Sequence, residues 1–401
     1  MKIIDNLSNN ITEKKAVIKF SLLIFLTEFV RGAYLNFIPL YSDNMLKYSV
    51  AIVGAIICAY FLAETLSKIG VGWILDRFDN RVVLVTGLIM SLVSLYLLKF
   101  IHSPVLLILD GALNGLGFAP VWLIVLGYIT TFPEEKRALS MGIVYSAWLA
   151  GLGLGGVLVN FLITKSYSFA LNIIIILWVF CVLIGLLIKE GIKSKERNEV
   201  TKSPISILKE FTNAKYLVPG MLLQTLSITI LAPIIPIYLT NPDFIGLSKN
   251  QYGIALAVLG IVTVISMIVF GAYAKRVGVE RLFIFGLLFT SVAIIGMGNL
   301  ESAIAVFIFG LVIGISYSAV LPSWNVIMSN NIGKENKGVM WGGFSTIEGL
   351  GRALGSLAGG LISNRFNFHF SFNVSGIIIF VLSIFYLIIN NRGILKHNDT
   401  N

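Results

Sequence analysis

Charged side chains occur inside otherwise apolar stretches of this sequence, most of them paired at helical spacing. The group comprises Glu28 with Arg31, Glu64 with Lys68, Glu348 with Arg352, and Asp110 alone. Separations of three or four residues place both members of a pair on one face of a helix. A charge near the centre of a bilayer costs about 2.5–3.5 kcal/mol on insertion scales, so the charges that persist there are candidates for function.

These groups could bind and release protons. A glutamate next to a cation stays ionised, whereas burial favours its neutral form, so a change of surroundings can move a proton on or off. One pH unit supplies about 1.4 kcal/mol. The hypothesis from sequence is that Glu28 and Glu64 are proton-coupling residues, with Arg31 tuning both. Glu348 and Arg352 are either part of the binding site or a neutralised pair that holds helices together.

No motif for nucleotide-dependent or metal-dependent chemistry accompanies the charges. The sequence has no GxxxxGK[ST] phosphate-binding loop, and its three histidines do not cluster. Cys58 and Cys181 both lie in apolar runs, which argues against a disulfide framework or a metal site. The sequence therefore predicts a protein that is not an enzyme and has no cofactor and no metal.

Transmembrane helices are the elements that must position these residues. Of the 401 residues, 57% are hydrophobic and only 12% charged, about half the charged fraction of a soluble protein. About 20 apolar residues span a bilayer. The sequence predicts twelve such helices, at 18–41, 50–73, 82–100, 104–131, 138–162, 169–188, 216–240, 250–274, 282–299, 302–330, 338–363 and 368–390.

The basic residues predict an orientation. Of 30 Lys and Arg residues, 22 fall on the side of the termini and the long linker, five on the other side and three within spans. The positive-inside rule then makes the N-terminus (1–17), the linker (189–215) and the tail (392–401) cytoplasmic. The net charge of +10 is explained by contact with anionic membrane lipid, so nucleic acid is not a predicted partner.

The chain repeats itself. The segment after the second predicted helix, beginning at Gly72, matches the one after the eighth, and Pro120 and Trp122 match Pro322 and Trp324. The fifth and eleventh helices are rich in glycine at corresponding places. The sequence thus predicts an all-α polytopic membrane protein with two pseudo-symmetric six-helix halves, 18–188 and 216–391, as is typical of alternating-access transporters.

One loop makes the resemblance specific. The pattern GxxxDR…R formed by Gly72, Asp76, Arg77 and Arg81 resembles the signature of the major facilitator superfamily. The resemblance implies a secondary transporter in which this charged turn latches and releases neighbouring helices. Asp79 stands where that signature prefers glycine, so the turn is expected to differ there.

The two halves differ in the chemistry they offer a substrate. The helices that line the cavity in that superfamily carry five charges in the first half, on the first, second and fourth helices. Their second-half equivalents carry only uncharged polar residues such as Gln224 and Asn325. Trp122, Trp148 and Trp324 could stack on sugar rings or simply pack. This inequality predicts an amphiphilic small-molecule or lipid substrate.

Segments around Glu28, Trp122, Trp148, Gln224 and Trp324 together resemble the lipoteichoic-acid glycolipid flippases of Gram-positive bacteria. Those proteins move a diglucosyl-diacylglycerol lipid from the inner to the outer leaflet, coupled to protons. The resemblance implies a bacterial cell membrane protein, a headgroup and proton site at Glu28, Arg31 and Glu64, and a sugar path near Trp122, Trp148 and Lys165. The alternative hypothesis is a proton-coupled multidrug exporter, and a more distant one is a non-transporting sensor.

Overall fold

The computed structural model describes residues 2–75, 77–129, 132, 134–188, 215–330 and 337–392. These residues form twelve long helices and no strand, which confirms the predicted all-α fold. The helices are α1 Lys2–Asn44, α2 Val50–Leu75, α3 Asn80–Leu97, α4 Pro104–Ile129, α5 Glu134–Ile163, α6 Tyr167–Leu187, α7 Lys215–Thr240, α8 Lys249–Val277, α9 Val279–Asn299, α10 Ala303–Asn330, α11 Lys337–Arg365 and α12 Phe368–Asn391.

Hydropathy agrees with a membrane environment. Within the described part of the chain, ten helices are long and apolar enough to cross a bilayer, namely α2 to α10 and α12. The other two long helices, α1 and α11, contain the Glu28/Arg31 and Glu348/Arg352 pairs. The protein is therefore a multi-pass membrane protein, and the two long helices outside that set each carry one of the candidate charge pairs.

Helix α1 is longer than the predicted span. The helix begins at Lys2, whereas the apolar segment begins at residue 18, because helical geometry continues over polar residues beyond the hydrocarbon region. The predicted linker and tail fall almost entirely on residues 189–214 and 393–401, which lie outside the described residues.

Helix α7 is interrupted. It consists of a 3₁₀ turn, Lys215–Leu217, and two α-helical segments, Val218–Ile230 and Ile235–Thr240. Pro233 lies in the break, and Pro236 is the second residue of the following segment. Proline has no backbone N–H and its ring clashes with the preceding turn, so two prolines three residues apart disrupt a continuous hydrogen-bond ladder.

The packing of the first half is reproduced in the second. In the first half α1 packs against α5, and α3 packs against α4 and α6. In the second half α7 packs against α11, and α9 packs against α10 and α12. The chain divides into two compact units near residue 199, except that residues 47–58, the beginning of α2, group with the second unit.

Glycines bring the paired helices into backbone contact. A Cβ atom added to Gly151 or Gly155 of α5 would clash with the carbonyl oxygen of Phe25 or Phe29 of α1. We call these contacts, and the equivalent ones made by Gly351 and Gly355 of α11 against α7, the glycine seams. Small residues permit such close approach in membranes, where lipid is as apolar as the side chains.

Candidate functional site

Arg31 joins two carboxylates from different helices in the first half. Its guanidinium donates to Glu64 Oε2 of α2 at 2.8 Å and lies 3.5 Å from Glu28 Oε1 of its own helix. Lys68 Nζ, one turn beyond Glu64, lies 3.1 Å from Glu64 Oε1. We call these four residues the first-half charge network. Two carboxylates are thus matched by two cations on neighbouring helices.

Three of the four members of the network are deeply buried. Glu28 is 0%, Glu64 2% and Arg31 7% exposed. Desolvation of each ion is offset only while its partner is present, so loss of one member leaves an uncompensated buried charge. A proton bound by Glu28 or Glu64 would therefore change the partner of Arg31. This is the chemistry that a coupling site requires.

Aromatic rings enclose the Arg31 guanidinium. Its central carbon lies 4.7 Å from the ring centre of Phe118 on α4, 5.4 Å from that of Tyr60 and 5.5 Å from that of Phe61 on α2. Ring faces attract a cation electrostatically, most strongly where water is excluded. These contacts hold Arg31 in place beside either carboxylate.

Helix α4 adds a tryptophan to the network. Trp122 Nε1 donates to Glu28 Oε1 at 2.7 Å. Its ring centre lies 6.2 Å from that of Trp148 and 5.7 Å from that of Tyr145, both on α5. The structure thus joins the predicted residues Trp122, Trp148 and Glu28. Tyr145 was missed, although it precedes Trp148 by three residues and therefore shares its helix face.

The second-half candidates form a looser group. Arg352 Nη2 lies 3.8 Å from Glu348 Oε2, and their side chains are 30% and 23% exposed. Trp324 Nε1 donates to Glu348 Oε1 at 3.4 Å. On α7, Gln224 Nε2 donates to the Tyr317 hydroxyl of α10 at 3.2 Å. The structure brings Trp324 next to the Glu348/Arg352 pair and places Gln224 beside Tyr317.

Trp324 and Asn325 occupy different environments. Trp324 is 3% exposed, and its ring stacks on Phe283 of α9 at 5.1 Å and lies 5.9 Å from Tyr386 of α12. Asn325 is exposed. Most of the Trp324 ring therefore packs inside the second half, in contrast to its repeat partner Trp122, which is only half-buried.

Lys165 is not brought to the charge network. It lies in the turn between α5 and α6, is exposed, and sits 5.1 Å above the Phe169 ring. About 17 residues of chain, mostly helical, separate it from Trp148, which corresponds to roughly 25 Å at 1.5 Å per residue. Its assignment to the sugar path stays a prediction.

The loop between α2 and α3 shows how Asp79 replaces glycine. Asp79 has ordinary backbone angles (φ −60°, ψ 124°), and its side chain caps α3 by accepting from the Arg81 N–H. Arg81 also donates to the Leu186 carbonyl of α6, and Arg77 stacks on Trp73 at 3.7 Å. Gly72 lies in α2, and Asp76 lies outside the described residues. The hypothesis that this loop latches and releases the neighbouring helices stays a prediction.

A comparison with protein-family models agrees with the interpretation of this protein as a membrane transporter. The model described as Major Facilitator Superfamily matches residues 20–240 and 217–400, and the two matches together cover both halves. In the described part of the chain, no group of three His, Cys, Asp or Glu side chains could hold a metal ion.

Individual relatives are also transporters. The chain is 29% identical over 398 residues to the proton-coupled antiporter flippase LtaA of Staphylococcus aureus, covering 95% of this chain and 96% of that protein. A bacterial homologue of the human lysosomal transporter Spinster, in an inward-facing and occupied conformation, has a TM-score of 0.77 at 15% identity, covering 94% and 97%. The nucleoside transporter NupG has a TM-score of 0.74 at 13% identity, covering 96% and 100%.

Proposed function

Because this chain belongs to the major facilitator superfamily, and is therefore a membrane transporter, we propose that it moves a glycolipid from the inner to the outer leaflet in exchange for protons. The observation that carries the proposal is the position of Arg31 between Glu28 and Glu64, with Trp122 donating to Glu28. The similarity to a flippase over 95% of the chain adds support.

The first half offers what a sugar headgroup needs. Carboxylates accept hydrogen bonds from hydroxyl groups and Arg31 donates them, while Trp122, Trp148 and Tyr145 present ring faces for a sugar to stack on. Each sugar hydroxyl placed in hydrocarbon without a partner costs roughly 2–7 kcal/mol. A polar site on the protein lowers this barrier for the headgroup.

Protons and substrate compete for the same carboxylates. When Glu64 binds a proton it no longer pairs fully with Arg31, which turns toward Glu28 and leaves fewer acceptors for the headgroup. Release of that proton restores the acceptor and the ion pair. A gradient of one pH unit supplies about 1.4 kcal/mol per proton, and 100 mV adds about 2.3 kcal/mol per charge.

The charge balance favours a neutral, hydroxyl-rich headgroup over a lipophilic cation. Glu28 and Glu64 already contact Arg31, and Glu64 also contacts Lys68. A drug cation bound there would have to displace an ammonium or guanidinium group from a buried carboxylate. The flippase is therefore preferred to the multidrug exporter, the alternative predicted from sequence.

Reconstituted vesicles provide the test. Purified protein in proteoliposomes would be supplied with a fluorescent diglucosyl-diacylglycerol, and its transfer between leaflets followed by quenching with and without a pH gradient. We expect the gradient to accelerate transfer, and Glu64→Gln to abolish that acceleration. A matched control is Glu301→Gln, a 68% exposed carboxylate outside the network.

Two results would contradict the proposal. Transfer at the same rate with and without the gradient would show scrambling rather than coupled transport. Accumulation of lipophilic cations, with no transfer of the glycolipid, would favour the exporter.

A further inference from the structure

A second carboxyl group is buried in the first half, apart from the charge network. Asp110 of α4 is 4% exposed, and neither of its carboxylate oxygens has a hydrogen-bond partner among the described residues. It precedes Trp122 by 12 residues on the same helix, roughly 18 Å along the axis. The mechanism proposed above gives Asp110 no role.

The groups around Asp110 leave it without a counter-ion. From α3, the Ser94 hydroxyl donates to the Asp110 backbone carbonyl at 3.1 Å and lies beside its carboxyl group. From α1, Tyr34 interacts electrostatically with Asp110, and its buried hydroxyl is also without a hydrogen-bond partner in the described chain. From α2, Tyr60 packs 5.7 Å from Tyr34. The cation nearest along α1, Arg31, is engaged with Glu28 and Glu64.

This geometry does not fit a structural aspartate. Structural aspartates cap helices or pair with cations, and the Asp110 side chain does neither. An ionised carboxylate without a cation beside it is strongly destabilised when buried, whereas the neutral acid is tolerated. The site therefore accommodates the protonated form, and loss of the proton requires altered surroundings.

We propose that Asp110 is a second proton-binding residue, which takes up a proton and releases it in the course of each transport cycle. Tyr60 and Tyr34 lie between it and Arg31: the Arg31 guanidinium lies over the Tyr60 ring, and Tyr60 packs on Tyr34. Titratable groups thus extend from Glu28 and Glu64 through Arg31, Tyr60 and Tyr34 toward Asp110. The coupling role rests on the proposed function; the proton binding itself does not.

Infrared difference spectroscopy tests proton binding without any substrate. Spectra of the purified protein in lipid would be compared between high and low pH and between H₂O and D₂O. We expect one carboxylic C=O band to be missing in Asp110→Asn, a neutral side chain of the same shape, and to persist in shifted form in Asp110→Glu. An unchanged set of bands in Asp110→Asn would overturn the proposal.

Proteoliposome transport then tests the role in coupling. With Asp110→Asn we expect the gradient-driven rate to fall at least tenfold while transfer without a gradient stays within twofold of wild type. Asp43→Asn, near the end of α1, is the matched control and should keep full gradient dependence. Wild-type gradient dependence in Asp110→Asn would refute the coupling role. If the wild-type protein moves no glycolipid, the proposed function fails, and the infrared result alone decides whether Asp110 binds a proton.

Discussion

The two halves share a backbone arrangement and differ in where their charges lie. At the glycine seams, Gly151 and Gly351 occupy equivalent places, 200 residues apart, and their carbonyl partners Phe25 and Leu222 are 197 apart. This register aligns Glu28 with Thr225. It also aligns Trp148 with Glu348. At the seam, the first half therefore carries its acidic residue, Glu28, on α1, whereas the second half carries Glu348 on α11, the helix that packs across the seam from α7.

Burial accentuates the difference. In the first half, Arg31 and Glu64 make a 2.8 Å contact at 7% and 2% exposure. In the second, Arg352 and Glu348 are 3.8 Å apart with side chains about a quarter exposed. Buried pairs depend strongly on both members, whereas exposed pairs contribute little. A common scaffold can therefore hold one tightly coupled site and one adaptable surface.

The largest effect should come from removing the cations. We expect Arg31→Met to lower the free energy of unfolding by about 3–5 kcal/mol, because Glu28 and Glu64 would lose the cation that they share. Arg352→Met should cost at most about 1 kcal/mol. Denaturant unfolding in detergent would measure both. Equal losses would mean that the two pairs are energetically alike despite their burial.

Breaking the glycine seams should affect both halves similarly. Gly155→Ala and Gly355→Ala each place a methyl group against a carbonyl of the facing helix, and overpacking of this kind costs about 1–3 kcal/mol. Gly153→Ala is the control, since nothing lies within 4 Å of a Cβ at that position. Thermal unfolding would report the difference. If Gly155→Ala left the thermal stability unchanged, the two helices would be able to move apart at no energetic cost.

Removing one acid from each half separates coupling from packing. Glu64→Gln should reduce gradient-driven transport at least tenfold, about 1.4 kcal/mol, whereas Glu348→Gln should change it less than twofold. Transport would be measured in proteoliposomes with and without a pH gradient. A larger effect of Glu348→Gln would move the coupling site to the second half.

The smallest effect should distinguish the two tryptophans of the repeat. Trp122→Phe removes the donor to Glu28 and should weaken binding of a glycolipid several-fold, about 1 kcal/mol, the usual worth of one hydrogen bond. Trp324→Phe should lower thermal stability by a similar amount and leave binding unchanged, because its ring packs on Phe283. Binding titration and thermal unfolding would separate the two. The reverse pattern would make the second half the headgroup site.

The positions of the helices could be predicted from hydropathy and residue spacing, because both depend only on residues close together in the sequence. The twelve helices follow from apolar length, the repeat of the halves from matching motifs, and the Glu28/Arg31 and Glu64/Lys68 contacts from helical periodicity. The break in α7 was missed, although Pro233 and Pro236 were its signal.

Contacts between helices could not be predicted from the sequence and became visible only in the structure. The Arg31–Glu64 and Trp122–Glu28 bonds depend on how α1, α2 and α4 pack, and no spacing rule encodes that register. The packed environment of Trp324 was hidden for the same reason. Its repeat relation to Trp122 reflects a shared backbone position, while the neighbouring Phe283 and Tyr386 decide what the ring contacts.

The glycine seams also bear on how such a protein can change its cargo over evolutionary time. In the first-half seam, glycine meets backbone carbonyls, so the packing there places no demand on the Glu28 side chain, whereas in the second half the Thr225 hydroxyl lies against Gly351. Substitution of Glu28 leaves these backbone contacts in place, although it removes a partner of Arg31. After an ancestral duplication the two copies could therefore drift apart in ligand preference while inheriting the same frame, and an engineer could exchange residues between equivalent positions to the same end.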